Sequence, residues 1–83
     1  MSKRVIVNVL ADCPIEGDMI PIQITWPDCR VFPVDKVLSV GPGVSPSGGS
    51  GTVYHCRISG REVPLYYGYL PEIRNDGWWM DGK

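Results

Sequence analysis

Short runs rich in Val, Ile, Tyr and Trp recur near residues 5–10, 20–26, 30–40, 52–59, 62–69 and 77–80. Glycine and proline separate them. Within the runs the apolar positions repeat every second residue, the period of a strand with one buried face. Nowhere do they repeat at three-and-four spacing over the length a packed helix needs. The pattern predicts an all-β chain of five or six strands, a small antiparallel, partly open barrel of SH3-like type built from hairpins.

The clearest period-two signal is Ile20–Trp26, where Ile20, Ile22, Ile24 and Trp26 form one apolar face. Pro21 cannot donate a ladder hydrogen bond, which predicts a free edge there. The run Val5–Leu10 is apolar on nearly both sides, and Pro14 with Glu16-Gly17-Asp18 supplies the turn that ends it. Pro27-Asp28 suits a tight turn. The next strand starts at Cys29 or Arg30, bends near Phe32-Pro33 and resumes through Val40. A long strand turning a corner is one way a small barrel closes.

The stretch 41–51 is Gly, Ser and Pro apart from Val44, with little side-chain payload, and it reads as a flexible surface loop inside a single domain spanning residues 1–83. It lacks the Lys-Ser/Thr of a phosphate-binding loop, and no helix pattern follows. Beyond it, Thr52–Ser59 and Glu62–Tyr69 flank a glycine-bearing hairpin turn. Tyr54, Cys56 and Ile58 share a face with Val63, Leu65 and Tyr67. His55, Arg57, Glu62, Pro64 and Tyr66 take the other, where Arg57 and Glu62 can oppose each other. Pro71 stops this strand, Asn75-Asp76-Gly77 reads as a turn, and Trp78-Trp79-Met80 as a short closing strand with an exposed edge. Alternation sends the two tryptophans to opposite faces, one into the core and one at least partly to solvent. The expected core is Ile22, Ile24, Trp26, Tyr54, Cys56, Ile58, Val63 and Leu65.

At 83 residues with a formal charge of −1, the chain has no global field to attract nucleic acid or an anionic membrane. Its apolar runs fall far short of the ~20 residues of a membrane span. Lys3-Arg4 followed by Val5–Ala11 and Cys13 resembles a secretion signal, but Asn8 and Asp12 break the pattern and a strand fits better. A cytoplasmic protein is expected. Three cysteines, Cys13, Cys29 and Cys56, contain no Cys-x-x-Cys pair and cannot all pair, so free thiols are expected.

The candidate chemistry is sparse. His55 and Cys56 are adjacent in a strand and so point apart, which disfavours a nucleophile pair or a shared metal. The carboxylates fall mostly at turns, with no pair placed for acid–base work. A Cys/His enzyme or metalloprotein is the weakest reading, and no catalytic, cofactor-binding or metal-binding residue is assigned. More interesting is a set of rings and arginines, Arg57, Arg61, Tyr66, Tyr69, Arg74 and Trp78, as a candidate binding surface. Exposed rings beside arginines could hold a peptide or stack on a single strand of nucleic acid. A non-catalytic protein-interaction or adaptor module with an unknown protein partner leads. A nucleic-acid-binding accessory protein is the alternative, and no membrane role is expected.

Three blocks carry a resemblance: Trp26-x-Asp28-x-Arg30-x-Phe32-x-Val34-Asp35-x-Val37-Leu38, then Gly48-Gly49-x-Gly51-x-x-Tyr54 running into Arg57-Ile58-x-Gly60-Arg61-Glu62, then Gly77-x-Trp79. In this order the chain resembles a group of small bacterial all-β proteins with no assigned activity, mostly from Gram-positive anaerobes. It departs at Cys29, where that pattern usually has Gly, and in a longer Tyr69–Asp76 connection. The resemblance implies an association with bacterial DNA-repair polymerase gene neighbourhoods and no site residues.

Overall fold

The computed structural model describes residues 3–15, 17, 19–46 and 49–82, apart from the Lys3 side chain. Most of the Glu16-Gly17-Asp18 turn lies outside the described residues. Seven strands and no helix are found there: β1 (Lys3–Asp12), β2 (Ile20–Thr25), β3 (Val31–Pro33), β4 (Lys36–Val44), β5 (Ser50–Ile58), β6 (Arg61–Leu70) and β7 (Asn75–Gly82). They form one antiparallel sheet in the order β3-β2-β1-β7-β6-β5-β4, an open, curled half-barrel. With no helix among the described residues, none is long and apolar enough to cross a membrane.

The count of seven corrects the expected five or six, and Pro33 is the reason. The bend there splits the third run into β3 and β4, which lie at opposite edges of the sheet. Only Val34 and Asp35 separate them. Val34 N–H donates to the Ile22 carbonyl of β2, and Asp35 N–H donates to the Arg57 carbonyl of β5, both at 2.8 Å. One bent segment thus bridges the two ends of the sheet at a single corner.

The stretch 41–51 is less of a loop than its composition suggests. Gly41–Val44 belong to β4 and pair with Ser50–Val53 of β5. Ladder bonding organises these residues despite their poor strand propensity, and Pro42 is tolerated because β4 is an edge strand. The turn after β6 is likewise earlier than expected. It spans Pro71–Arg74, with Arg74 N–H donating to the Pro71 carbonyl at 3.3 Å, while Asn75-Asp76-Gly77 lie in β7. Gly77 is there for close packing, since a Cβ would come within 2.7 Å of Leu70 Cδ1. β7 lies between β1 and β6, so Trp78–Met80 is no sheet edge.

The β5–β6 hairpin has the anticipated parity. Tyr54 pairs with Leu65, Cys56 with Val63 and Arg57 with Glu62. Ser59 and Gly60 have φ of 52° and 75°, the two positive values of a primed two-residue turn, whose hand matches strand twist.

Apolar side chains pack on both faces of the sheet. The concave face buries Val7, Ile24, Tyr54, Cys56, Ile58, Leu65, Trp78 and Met80. Trp26 and Val63 pack against this cluster half-buried. The convex face buries Tyr66, Leu70 and Trp79, with Ile6 and Val53 alongside. Both tryptophans are therefore buried, Trp78 at 9% exposure and Trp79 at 0%, against the expectation that one reaches solvent. Alternation does send them to opposite faces. Trp79 is nevertheless covered, by Tyr66 stacked at 5.5 Å and by the Arg4 guanidinium 5.2 Å from its ring, which Glu72 anchors at 2.9 Å.

Ile22 is the other departure. The β1–β2 register shifts between Leu10 and Ala11, whose partners are Gln23 and Pro21, leaving Ile22 as the extra residue of a bulge. The bulge resets the face, so Pro21 and Ile24 are buried while Ile22 is exposed.

Cys29 has φ of 70° in the turn that joins β2 to β3, where its N–H donates to the Trp26 carbonyl at 2.9 Å. The left-handed conformation costs a non-glycine residue about 1–2 kcal/mol, partly offset in glycine by unfolded-state entropy. Cys29→Gly is expected to stabilise the chain by about 0.5–1 kcal/mol in urea titration. A loss of stability would show that the thiol side chain contributes more than its backbone costs.

Candidate functional site

The concave face of the half-barrel is not filled at one end. Trp26, at the end of β2, and Phe32, on β3, face the β5–β6 hairpin tip across a cleft of about 520 Å³. Ile24 and Met80 form its floor, both buried, and Ile58 and Val63 form the opposite wall. Its polar lining is confined to Ser59 and Arg61 at the turn. The size falls in the range of ligand pockets, ~300–1,000 Å³.

Local sequence explains the aromatic wall. The turn closed by Cys29 returns the chain so that Trp26 and Phe32 meet edge to face, centroids 6.4 Å apart. Arg30 projects from the same turn, its guanidinium 5.9 Å from both ring centroids. Asp28 holds it there, accepting from Arg30 Nε at 2.6 Å and from Arg30 N–H at 3.1 Å. The bond from the Arg30 backbone, then its guanidinium, holds the Asp28 carboxyl below the usual carboxylate range. Arg30 is thus committed, whereas Arg61 forms no ion pair among the described residues.

Of the six residues singled out from the sequence, only Arg61 lines the cleft. Arg57 is exposed on the convex side of β5, opposite Glu62, whose carboxylate instead lies 3.8 Å from His55 Nδ1. Tyr66 and Trp78, expected at the surface, are buried, Tyr66 beneath Trp79 and Trp78 between Tyr54 and Tyr67. Tyr69 is exposed, and Arg74 occupies the β6–β7 turn with φ of 51°. Tyr69 and Arg61 sit at opposite ends of β6, about 26 Å apart at strand rise. The six therefore form no common surface. The signal for Trp26 and Phe32 was the spacing Trp26-x-Asp28-x-Arg30-x-Phe32, which carries the resemblance and also builds the aromatic wall.

The thiols have different surroundings. Cys13 and Cys29 are exposed, and Cys56 is buried with Sγ 3.5 Å from the Tyr54 carbonyl. His55 and Cys56 occupy opposite faces, and among the described residues no group of three or more potential ligands gathers for a metal ion. Burial pushes the Cys56 thiol up to about 11 from 9.0. The unfolded chain therefore releases this proton before the folded one does. The stability contributed by this group is fully present below pH 9 and is lost as pH rises toward 11. Burial and the Asp81 carboxylate also push Tyr66 up, adding to the loss above pH 10. Cys56→Val is expected to flatten the fall between pH 9 and 10 in thermal melts, and an unchanged fall would assign it to other groups.

No protein-family model, curated protein or solved structure matches the chain.

Proposed function

We propose that the chain is a non-catalytic protein-interaction module, an SH3-like half-barrel of the cytoplasm whose open end receives apolar side chains of a partner. The observation that carries this reading is the cleft itself. It has an aromatic wall, a buried apolar floor and polar groups at its rim, the usual composition of a recognition site. The resemblance to small bacterial all-β proteins is compatible with it. The sheet edges are poorer docking surfaces. β3 has three residues, and β4 carries Pro42 and a register irregularity between Val37 and Ser39, features that blunt strand addition. The nucleic-acid alternative keeps only Tyr69 of its three candidate stacking rings exposed, since Tyr66 and Trp78 are buried.

The test is affinity capture from the native host with wild-type chain, a filled cleft (Val63→Trp), a stripped wall (Trp26→Gln) and a distant control (Arg57→Ala), each checked for a wild-type-like melting transition. Capture of a protein that Arg57→Ala keeps and both cleft variants lose supports the reading. Capture unaffected by the cleft variants, or abolished by nuclease, contradicts it.

A further inference from the structure

We infer that the end of the β4–β5 hairpin beyond Gly43 and Gly51 is a cap that opens over the stacked Tyr66 and Trp79 rings while the rest of the sheet stays folded. The cap sits on the convex face, away from the cleft, and does not depend on the interaction reading. Two contacts seat it. The Ser45 hydroxyl, buried, donates to Asp81 Oδ1 at 2.7 Å. Gly49 comes so close to the convex cluster that a Cβ there would lie 2.7 Å from Arg4 Nη2 and 3.6 Å from Trp79 Cζ2. Ser45 N–H donates to the Gly49 carbonyl at 3.0 Å, which ties the two seats together.

Three observations make the closed cap easy to release. Its hold is polar. Val44 is 74% exposed, Pro46, Gly49 and Ser50 are exposed, and none of them joins the apolar cluster of the convex face. A unit with few buried apolar contacts opens at a lower free energy than the whole chain. Its base is weak. Gly43 and Gly51 are cross-strand partners, and Val44 with Ser50 is the one ladder pair beyond them among the described residues. A glycine pair has no side chains to pack across the ladder and tolerates wide backbone change. Finally, the covered ring lacks a bond. Trp79 is fully buried, yet its Nε1–H finds no acceptor among the described residues. A buried donor left unpaired is costly, and water admitted by an open cap relieves that cost. Opening bares the Tyr66 and Trp79 rings beside the Arg4 guanidinium, a surface that the closed form hides.

The test is hydrogen exchange of the full chain by NMR in a urea series, read as protection factors at the Trp79 indole Nε1–H and at the slowest amides of β6 and β7. The indole should be protected at least about tenfold less than those amides, and its protection should fall less steeply with urea. Ile24→Val, in the concave core, should lower the protection of the slow amides about two- to tenfold. It should leave the indole unchanged, because the opened form keeps that core. Ser45→Ala removes a hydrogen bond to a carboxylate and should lower the indole's protection at least about tenfold. An indole that shares the protection, the urea slope and the Ile24→Val response of the slow amides overturns the cap. Wild-type indole protection in Ser45→Ala overturns it as well.

Discussion

Trp79→Ala is expected to remove a large part of the stability of the chain. Trp79 is fully buried on the convex face, stacked on Tyr66 with an interplanar angle of 15° and covered by Arg4. Removing a buried tryptophan costs about 3–5 kcal/mol. A domain of this size has a total stability of roughly 4–12 kcal/mol. The same change at Trp78, packed against Tyr54 and Tyr67 on the concave face, should cost a similar amount. Tyr69→Ala, at a ring 58% exposed, should stay within about 0.5 kcal/mol of wild type. Denaturant titration of the three variants measures this. A mild Trp79 variant beside a severe Trp78 variant would mean that the convex cluster contributes little and the sheet has one core.

The second large effect separates two isoleucines two positions apart. Ile24→Ala should cost about 2–5 kcal/mol because its side chain is fully enclosed. Ile22→Ala should cost well under about 1 kcal/mol because the bulge turns it to solvent. Unbroken alternation would make the two losses comparable. The ratio of the two measured losses is thus a direct assay for the bulge, and equal losses would remove it.

These two predictions mark where the sequence was and was not legible. The β5–β6 hairpin could be read because nothing interrupts its alternation. Tyr54, Cys56 and Ile58 share the concave face with Val63, Leu65 and Tyr67, as alternation requires. The corner at Pro33 could be read because proline restricts the backbone wherever it stands. Ile22 could not, because a bulge shows in how two strands pair and not in the pattern of one. Gly41–Val44 looked like loop because their strand character comes from the β5 ladder rather than from their side chains. The burial of Trp79 depends on Arg4, held by Glu72 at a separation of 68 residues, which no local pattern reveals.

The candidate site follows the same logic. Arg61 was singled out as an arginine near a set of aromatic rings, and it does border the cleft. Its companions there, Trp26, Phe32 and Met80, come from three other parts of the chain. Trp26 and Val63 were assigned to the core but are only half-buried, and their remaining exposure is what makes a site. Tyr66 and Trp78 were chosen as exposed rings, yet aromatic content alone does not distinguish a recognition surface from a second core on the opposite face.

The central claim is that the open end of the half-barrel is the recognition surface. It is tested most directly by mapping amide and indole shifts of the ¹⁵N-labelled chain during titration with a pool of decapeptides rich in Val, Leu, Ile and Phe. The account predicts saturable shifts at the Trp26 indole, Phe32, the Ile58–Val63 turn and Met80, all abolished by Val63→Trp. Shifts confined to the exposed apolar residues of the opposite sheet face, Leu10, Ile20 and Val31, with the Trp26 indole unmoved, would contradict it.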